Sequence, residues 1–125
     1  MEILLDTHLL LWWLADDPRL SDKARQLIAD PSHTLIASAA TAWEIAIKQG
    51  LGKLKTEGEL EKEILEQGFA VLPVTFAHAA EVFTLPMIHR DPFDRMLVAQ
   101  SRVENLHLLT ANPHILRYPA NVIKG

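Results

Sequence analysis

Apolar positions along this chain follow two rhythms. Ile3-Leu4-Leu5, Leu35-Ile36-Ala37, Ala70-Val71-Leu72 and Leu108-Leu109 are short continuous runs, the pattern of strands buried on both faces. Between them, longer stretches place apolar residues three and four apart, as helices with one buried side do. In chain order this predicts a strand at Ile3-Leu4-Leu5 with Asp6 at its carboxyl end, then an apolar helix from Leu9 to Leu14 carrying Trp12 and Trp13. A turn at Asp16-Asp17-Pro18 precedes a helix from Ser21 to about Ala29, and Thr34 to Ser38 forms the second strand. A helix from Ala42 to Gln49 is stopped by Gly50. The loop Leu51-Gly52-Lys53-Leu54-Lys55 leads to an acidic helix from Glu57 to Gln67, with Leu60, Ile64 and Leu65 inward and Gly68 ending it.

Ala70 to Val74 predicts a third strand, and Pro73 assigns it to an edge or a terminus. Thr75 caps a helix through Phe83, in which His78 reads as a surface or core histidine. Pro92 suits the first position of a further helix, with Asp91 as its N-cap. His107 to Thr110 is the fourth strand. Asn112 then caps a short helix opened by Pro113, and Asn121 to Ile123 is a last strand. Strands alternating with helices predict a single α/β domain over residues 1–125. Its sheet is mainly parallel, of four to five strands, with helices on both faces.

Composition narrows the class. A chain of 125 residues that is 49% hydrophobic has the material for one buried core. It holds no run near the ~18 apolar residues of a membrane-spanning helix. The acid inside Met1-Glu2-Ile3-Leu4-Leu5-Asp6 does not fit a signal peptide. Without cysteine there is no disulfide framework and no thiolate ligand or nucleophile, and a cytoplasmic protein is expected. The net charge of -4 argues against a protein that coats itself in nucleic acid, but not against nucleic acid as substrate. The bases cluster at Lys48, Lys53 and Lys55 and at Arg90 and Arg95. Lys48, Arg90 and Arg95 are assigned to substrate binding.

The candidate chemistry is carboxylate chemistry. Asp6 follows the first strand, Glu44 lies among Trp43, Ile45 and Ile47, and Asp94 follows Asp91 at a helix start. Each has an ordinary account as a cap or as compensation of a helix dipole, and Lys48 at i+4 offers Glu44 a surface pair worth only a few tenths of a kcal/mol. In a parallel sheet, however, strand ends and helix starts converge on one edge, which brings Asp6, Glu44, Asp94 and Asn112 together with Asp91 beside them. Carboxylates so gathered raise one another's pKa unless a hard divalent cation holds them, and Mg2+ is the expected ion. Phosphodiester hydrolysis is the reaction that fits such a site. Zinc fits less well, since no histidine pair has the i, i+4 spacing of a helical zinc motif. A phosphatase with Asp6 as nucleophile would want an acid two residues on, where His8 stands.

Asp6-Thr7-His8, Thr41-Ala42-Trp43-Glu44-Ile45-Ala46-Ile47-Lys48, His89-Arg90-Asp91-Pro92-Phe93-Asp94-Arg95 and Leu109-Thr110-Ala111-Asn112 occur in the order found in PIN-domain proteins. The chain resembles that family, in the branch that includes VapC-type toxins, over nearly its whole length. The resemblance implies a Mg2+- or Mn2+-dependent endoribonuclease acting on single-stranded RNA, a homodimer, and inhibition by a cognate antitoxin. It implies Asp6, Glu44 and Asp94 as catalytic, metal-binding acids, with Thr7, Thr110 and Asn112 as supporting groups and Asp91 beside them. Many relatives carry an aspartate where this chain has Asn112, which implies weaker hold on a second ion. Trp12 and Trp13 are candidates for a protein contact. The alternative reading is a weakly active or inactive module that binds RNA or a partner.

Overall fold

Five strands, all parallel, form one sheet in the order β3-β2-β1-β4-β5 in the computed structural model, which describes residues 1–52 and 59–125. The strands are β1 (Glu2–Leu5), β2 (Thr34–Ser38), β3 (Ala70–Leu72), β4 (His107–Thr110) and β5 (Val122–Lys124). The helices are α1 (Thr7–Leu14), α2 (Asp22–Ala29), α3 (Ala39–Gly50), α4 (Leu60–Glu66), α5 (Phe76–Thr84) and α6 (Pro92–Val103). Lys53, Lys55 and the expected helix start at Glu57 lie outside the described residues.

The period-two geometry of a strand divides the apolar runs between two cores. Ile3, Leu5, Leu35, Ala37 and Leu109 face one side, where Leu9 and Leu10 of α1, Ala24 and Ile28 of α2 and Ile64 of α4 cover them. Leu4, Ile36 and Leu108 face the other, under Leu97, Val98 and Ala99 of α6 and beside Leu85, Ile115 and Tyr118. Each central strand is therefore apolar on both faces, which is why its sequence shows a run and no alternation. Pro73 follows β3 directly, and that strand is an edge of the sheet, as its proline required.

Local capping explains most boundaries. Ser21 Oγ accepts from Ala24 N at 3.0 Å to start α2. Thr75 and His78 form a reciprocal capping box at α5, so the histidine is a fully buried structural group. Gly68, at φ +77°, turns the chain out of the end of α4. Of the boundaries that differ from expectation, two bear on the site. α3 begins at Ala39, three residues early, because Ser38 ends β2 and its Oγ at once accepts from Ala40 N at 3.0 Å. After β4, Asn112 Oδ1 accepts from His114 N at 2.9 Å, a tight side-chain turn, and only a three-residue 3-10 turn, Ile115–Arg117, follows.

Candidate active site

The strand order reverses between β1 and β4, the place where open parallel sheets form a crevice beyond their strand ends. Asp6 stands there, 2% exposed. Its N–H donates to Leu109 O at 3.0 Å, its Oδ1 accepts from His8 N at 2.8 Å, and its Oδ2 accepts from Thr110 Oγ1 at 2.5 Å. Asn112 N in turn donates to Thr110 Oγ1 at 3.0 Å. Thr7 Oγ1 meets Thr41 Oγ1 at 2.9 Å and ties the start of α1 to α3. A cleft of about 240 Å³ opens beside these groups, lined by Asp6, His8, Trp12, Ala111 and Asn112.

The early start of α3 moves Glu44 into the second turn, where compensation of the helix dipole has faded. Glu44 is 1% exposed, and its Oε2 accepts from Lys48 Nζ at 2.5 Å. Among the described residues its buried Oε1 has no hydrogen-bond partner. The pair expected on the helix surface is thus half inside the protein. At the start of α6, Asp91 Oδ1 alone accepts from Phe93 N at 2.8 Å and Asp94 N at 3.0 Å. Asp94 is buried, with Oδ2 accepting from Asn112 Nδ2 at 3.3 Å and lying 3.1 Å from His89 Nε2. The His89 ring stacks on His114 with centroids 4.6 Å apart.

Charge ties these pieces into one notch. Burial, and then the carboxylates of Asp91, Asp6 and Glu44, push Asp94 from an ordinary 3.8 up to about 7. The hydrogen bond to Glu44 raises the Lys48 ammonium above its ordinary value, with Asp91 and Asp94 adding to it. The Asp6 carboxylate likewise raises the His8 imidazole. Among the described residues, the one tight set of metal-binding groups is His89, Asp91 and Asp94, with one ligand atom from each within 4.8 Å of the others. Asp94 belongs to it, whereas Asp6 and Glu44 stand further off.

These residues fit a divalent cation. A buried carboxylate oxygen without a donor, as on Glu44, is costly unless something positive satisfies it. The donor set is mostly oxygen, which suits Mg2+ or Mn2+, and His89 adds one imidazole nitrogen.

Not every expected residue joins the notch. Arg95 is 8% exposed, and its guanidinium donates to Pro86 O, Val82 O and Tyr118 Oη at 2.9, 3.1 and 3.2 Å. It ties α6 to α5 and is not free for substrate, which corrects its assignment. Arg90 is exposed on the segment leading into α6. Lys48 is half-buried and already paired. Both ends of the Asn112 amide are engaged within the chain. Trp12 and Trp13 pack half-buried against the first core, and Trp13 Nε1 donates to Gln67 Oε1 at 3.0 Å. Sequence reasoning missed His89 and Thr41. His89 stands two residues before the cap Asp91, yet nothing in its spacing tells that its ring turns toward Asp94.

Comparison with solved structures places this architecture. VapBC2 from Rickettsia felis, solved bound to a promoter DNA fragment, matches with a TM-score of 0.70 at 17% identity, over 100% of this chain and 98% of that one. DNA-bound VapBC from Salmonella typhimurium matches with a TM-score of 0.66 at 16% identity, over 99% of this chain and 98% of the other. A toxin-antitoxin complex from Klebsiella pneumoniae gives 0.64 at 18% identity, over 97% and 95%. At such identities the likeness is one of fold. No curated protein matches the sequence significantly. The PIN domain family profile, in contrast, matches residues 3–121, nearly the whole length. The chain belongs to the PIN domain family.

Proposed function

We propose that the chain is a metal-dependent endoribonuclease that hydrolyses phosphodiester bonds of single-stranded RNA, and that it is the toxin of a toxin–antitoxin pair. The observation that carries the reading is Glu44 Oε1, buried without a donor among the described residues, in a notch where the charges of Asp91, Asp6 and Glu44 all act on Asp94. Asp6, Glu44 and Asp94 would hold Mg2+ or Mn2+, with Asp91 and His89 beside them. When bound, such an ion supplies a water of lowered pKa and positive charge for a phosphoryl oxygen.

The remaining groups orient the acids. Thr110 donates to Asp6 and fixes that carboxylate, and Asn112 N–H fixes the Thr110 hydroxyl in turn. Thr7 and Thr41 hold α1 against α3, so Asp6 and Glu44 keep their separation. Asn112 Nδ2 and His89 Nε2 both meet Asp94 Oδ2 and hold its orientation. Because the Asn112 amide is engaged at both ends and carries no charge, one ion is the expected load. Of Lys48, Arg90 and Arg95, Arg90 is the one that is exposed and can meet the RNA backbone.

An antitoxin partner is supported by structural neighbours solved as VapBC pairs. A homodimer is supported by an exposed apolar band, with Phe76 96% and Phe83 92% exposed on α5. Beside it lies an apolar cleft of about 360 Å³ lined by residues that include Trp43, Val82, Phe93 and Met96. A cytoplasmic location belongs to the same reading. Among the described residues, no helix is long and apolar enough to cross a membrane.

The test is Asp94→Asn, assayed for Mg2+-dependent cleavage of single-stranded RNA alongside circular dichroism. Cleavage is lost and the fold is kept. Equal cleavage by variant and parent would remove Asp94 from the chemistry and the reading with it.

A further inference from the structure

We infer that Lys48 is the resident counter-ion of the acid notch, and that a divalent cation has to displace its ammonium from Glu44 in order to bind. The inference rests on the metal-binding reading above and concerns what that binding must undo.

The notch gathers four carboxylates, three of them buried, and such a group is tolerated only where protonation or positive charge close by offsets the repulsion. Among the described residues, Lys48 is the one permanent cation in ion-pair contact with any of the four. The other ion-pair contacts there come from His8 to Asp6 at 3.7 Å and His89 to Asp94 at 3.1 Å, both groups that need not be charged. Arg95 is spent on Pro86, Val82 and Tyr118.

The geometry of the pair is that of a placeholder. Glu44 Oε2 is in contact with Nζ at 2.5 Å, and Oε1 on the same carboxylate is buried and has no partner among the described residues. One ammonium satisfies half of a carboxylate that has two oxygens to offer. The Lys48 side chain is 35% exposed and the Glu44 side chain 2%. The lysine sits on a flexible four-carbon stem with a way out to water, whereas the glutamate has none. A divalent ion bound by Glu44 would face that ammonium across the same carboxylate, and two cations so close repel. The lysine is the partner free to leave. Its departure costs a charge-assisted hydrogen bond, so Lys48 weakens metal binding while it keeps the metal-free notch folded.

The experiment titrates Mn2+ into the full chain by calorimetry, for the parent, Lys48→Gln and Lys48→Arg, with each variant's melting curve recorded. Removing the competing charge tightens Mn2+ binding in Lys48→Gln by about tenfold, the equilibrium factor of one hydrogen bond between charged groups. Lys48→Arg keeps the charge and stays within about threefold of the parent. A second measurement uses the parent protein alone, so that a poorly folded variant cannot decide the matter. Nitrogen-edited NMR of the lysine side chains, with diamagnetic Mg2+ added, shows the Lys48 ammonium signal moving toward that of a solvated lysine.

Mn2+ binding by Lys48→Gln that is no tighter than the parent's overturns the inference. So does a Lys48 signal that stays put while metal binds. A parent chain that takes up no Mn2+ at all overturns the metal reading, and this inference falls with it.

Discussion

Arg95→Met separates a scaffold role from a substrate role at a residue whose position in sequence favours the second. The guanidinium makes three hydrogen bonds, to Pro86 O, Val82 O and Tyr118 Oη, and among the described residues no carboxylate pairs with it. Three bonds from a charged donor at ~1.5–3 kcal/mol each set an upper bound of several kcal/mol. The real loss is smaller, because each acceptor keeps another partner. Val82 O still receives Leu85 N, Pro86 O still receives Ile88 N, and Tyr118 Oη still receives His89 N. Methionine also retains much of the apolar stem.

The expected cost is therefore roughly 3 kcal/mol, a lowering of the melting temperature on the order of 10 °C in a domain of this size. Melting followed by circular dichroism gives that number, and RNA binding measured over a range of salt gives the control. A residue that contacts phosphate would behave in the opposite way. It would leave the melt unchanged and lower the salt dependence of RNA affinity by about one charge. That pattern would refute the scaffold assignment.

Three further outcomes follow from the same geometry. In EDTA the Asp94 carboxyl, raised to about 7, stays protonated in the fold while the unfolded chain has ionised, so its contribution is full below about 4 and lost as pH rises through about 7. Urea titrations at pH 5 and 7.5 should show the parent losing roughly 2 kcal/mol more than Asp94→Asn, after allowance for solvent at the open side of the notch, and equal losses would refute the assignment. Mg2+ at pH 7.5 should raise the melting temperature of the parent and leave that of Asp94→Asn nearly unchanged, which scanning calorimetry can follow. Asp91→Ala strips two amides of their acceptor and should cost roughly 1 kcal/mol, read as a shifted urea midpoint.

The fold was legible where a single physical rule governs the pattern. Strands buried on both faces must be apolar throughout, so the strand positions could be read directly, and Pro73 marked the edge. The site was less legible because spacing along a helix does not report depth. Glu44 and Lys48 are four apart whether they ride the surface or line a notch, and only the packing of α3 on β2 and α6 distinguishes the two. Ser38 adds to the difficulty, since it ends a strand and caps a helix at once and leaves no loop to mark the boundary. Arg95 misleads in the same way: a base beside acids in sequence has its partners in Val82, Pro86 and Tyr118.

The largest misjudgement available from sequence is to treat capping and chemistry as rival explanations of one aspartate. Asp6 caps α1 with Oδ1 while its Oδ2 takes the Thr110 hydroxyl, and Asp91 caps α6 with Oδ1 alone. A carboxylate has two oxygens, and using one on a helix amide fixes where the other points. Capping is thus one means by which a short chain aims an acid, with Thr110 completing the hold on Asp6. The cost is that such acids cannot be removed without loosening the helices they start. Glu44 and Asp94, which cap nothing, are therefore the positions where neutral substitutions test the chemistry most cleanly.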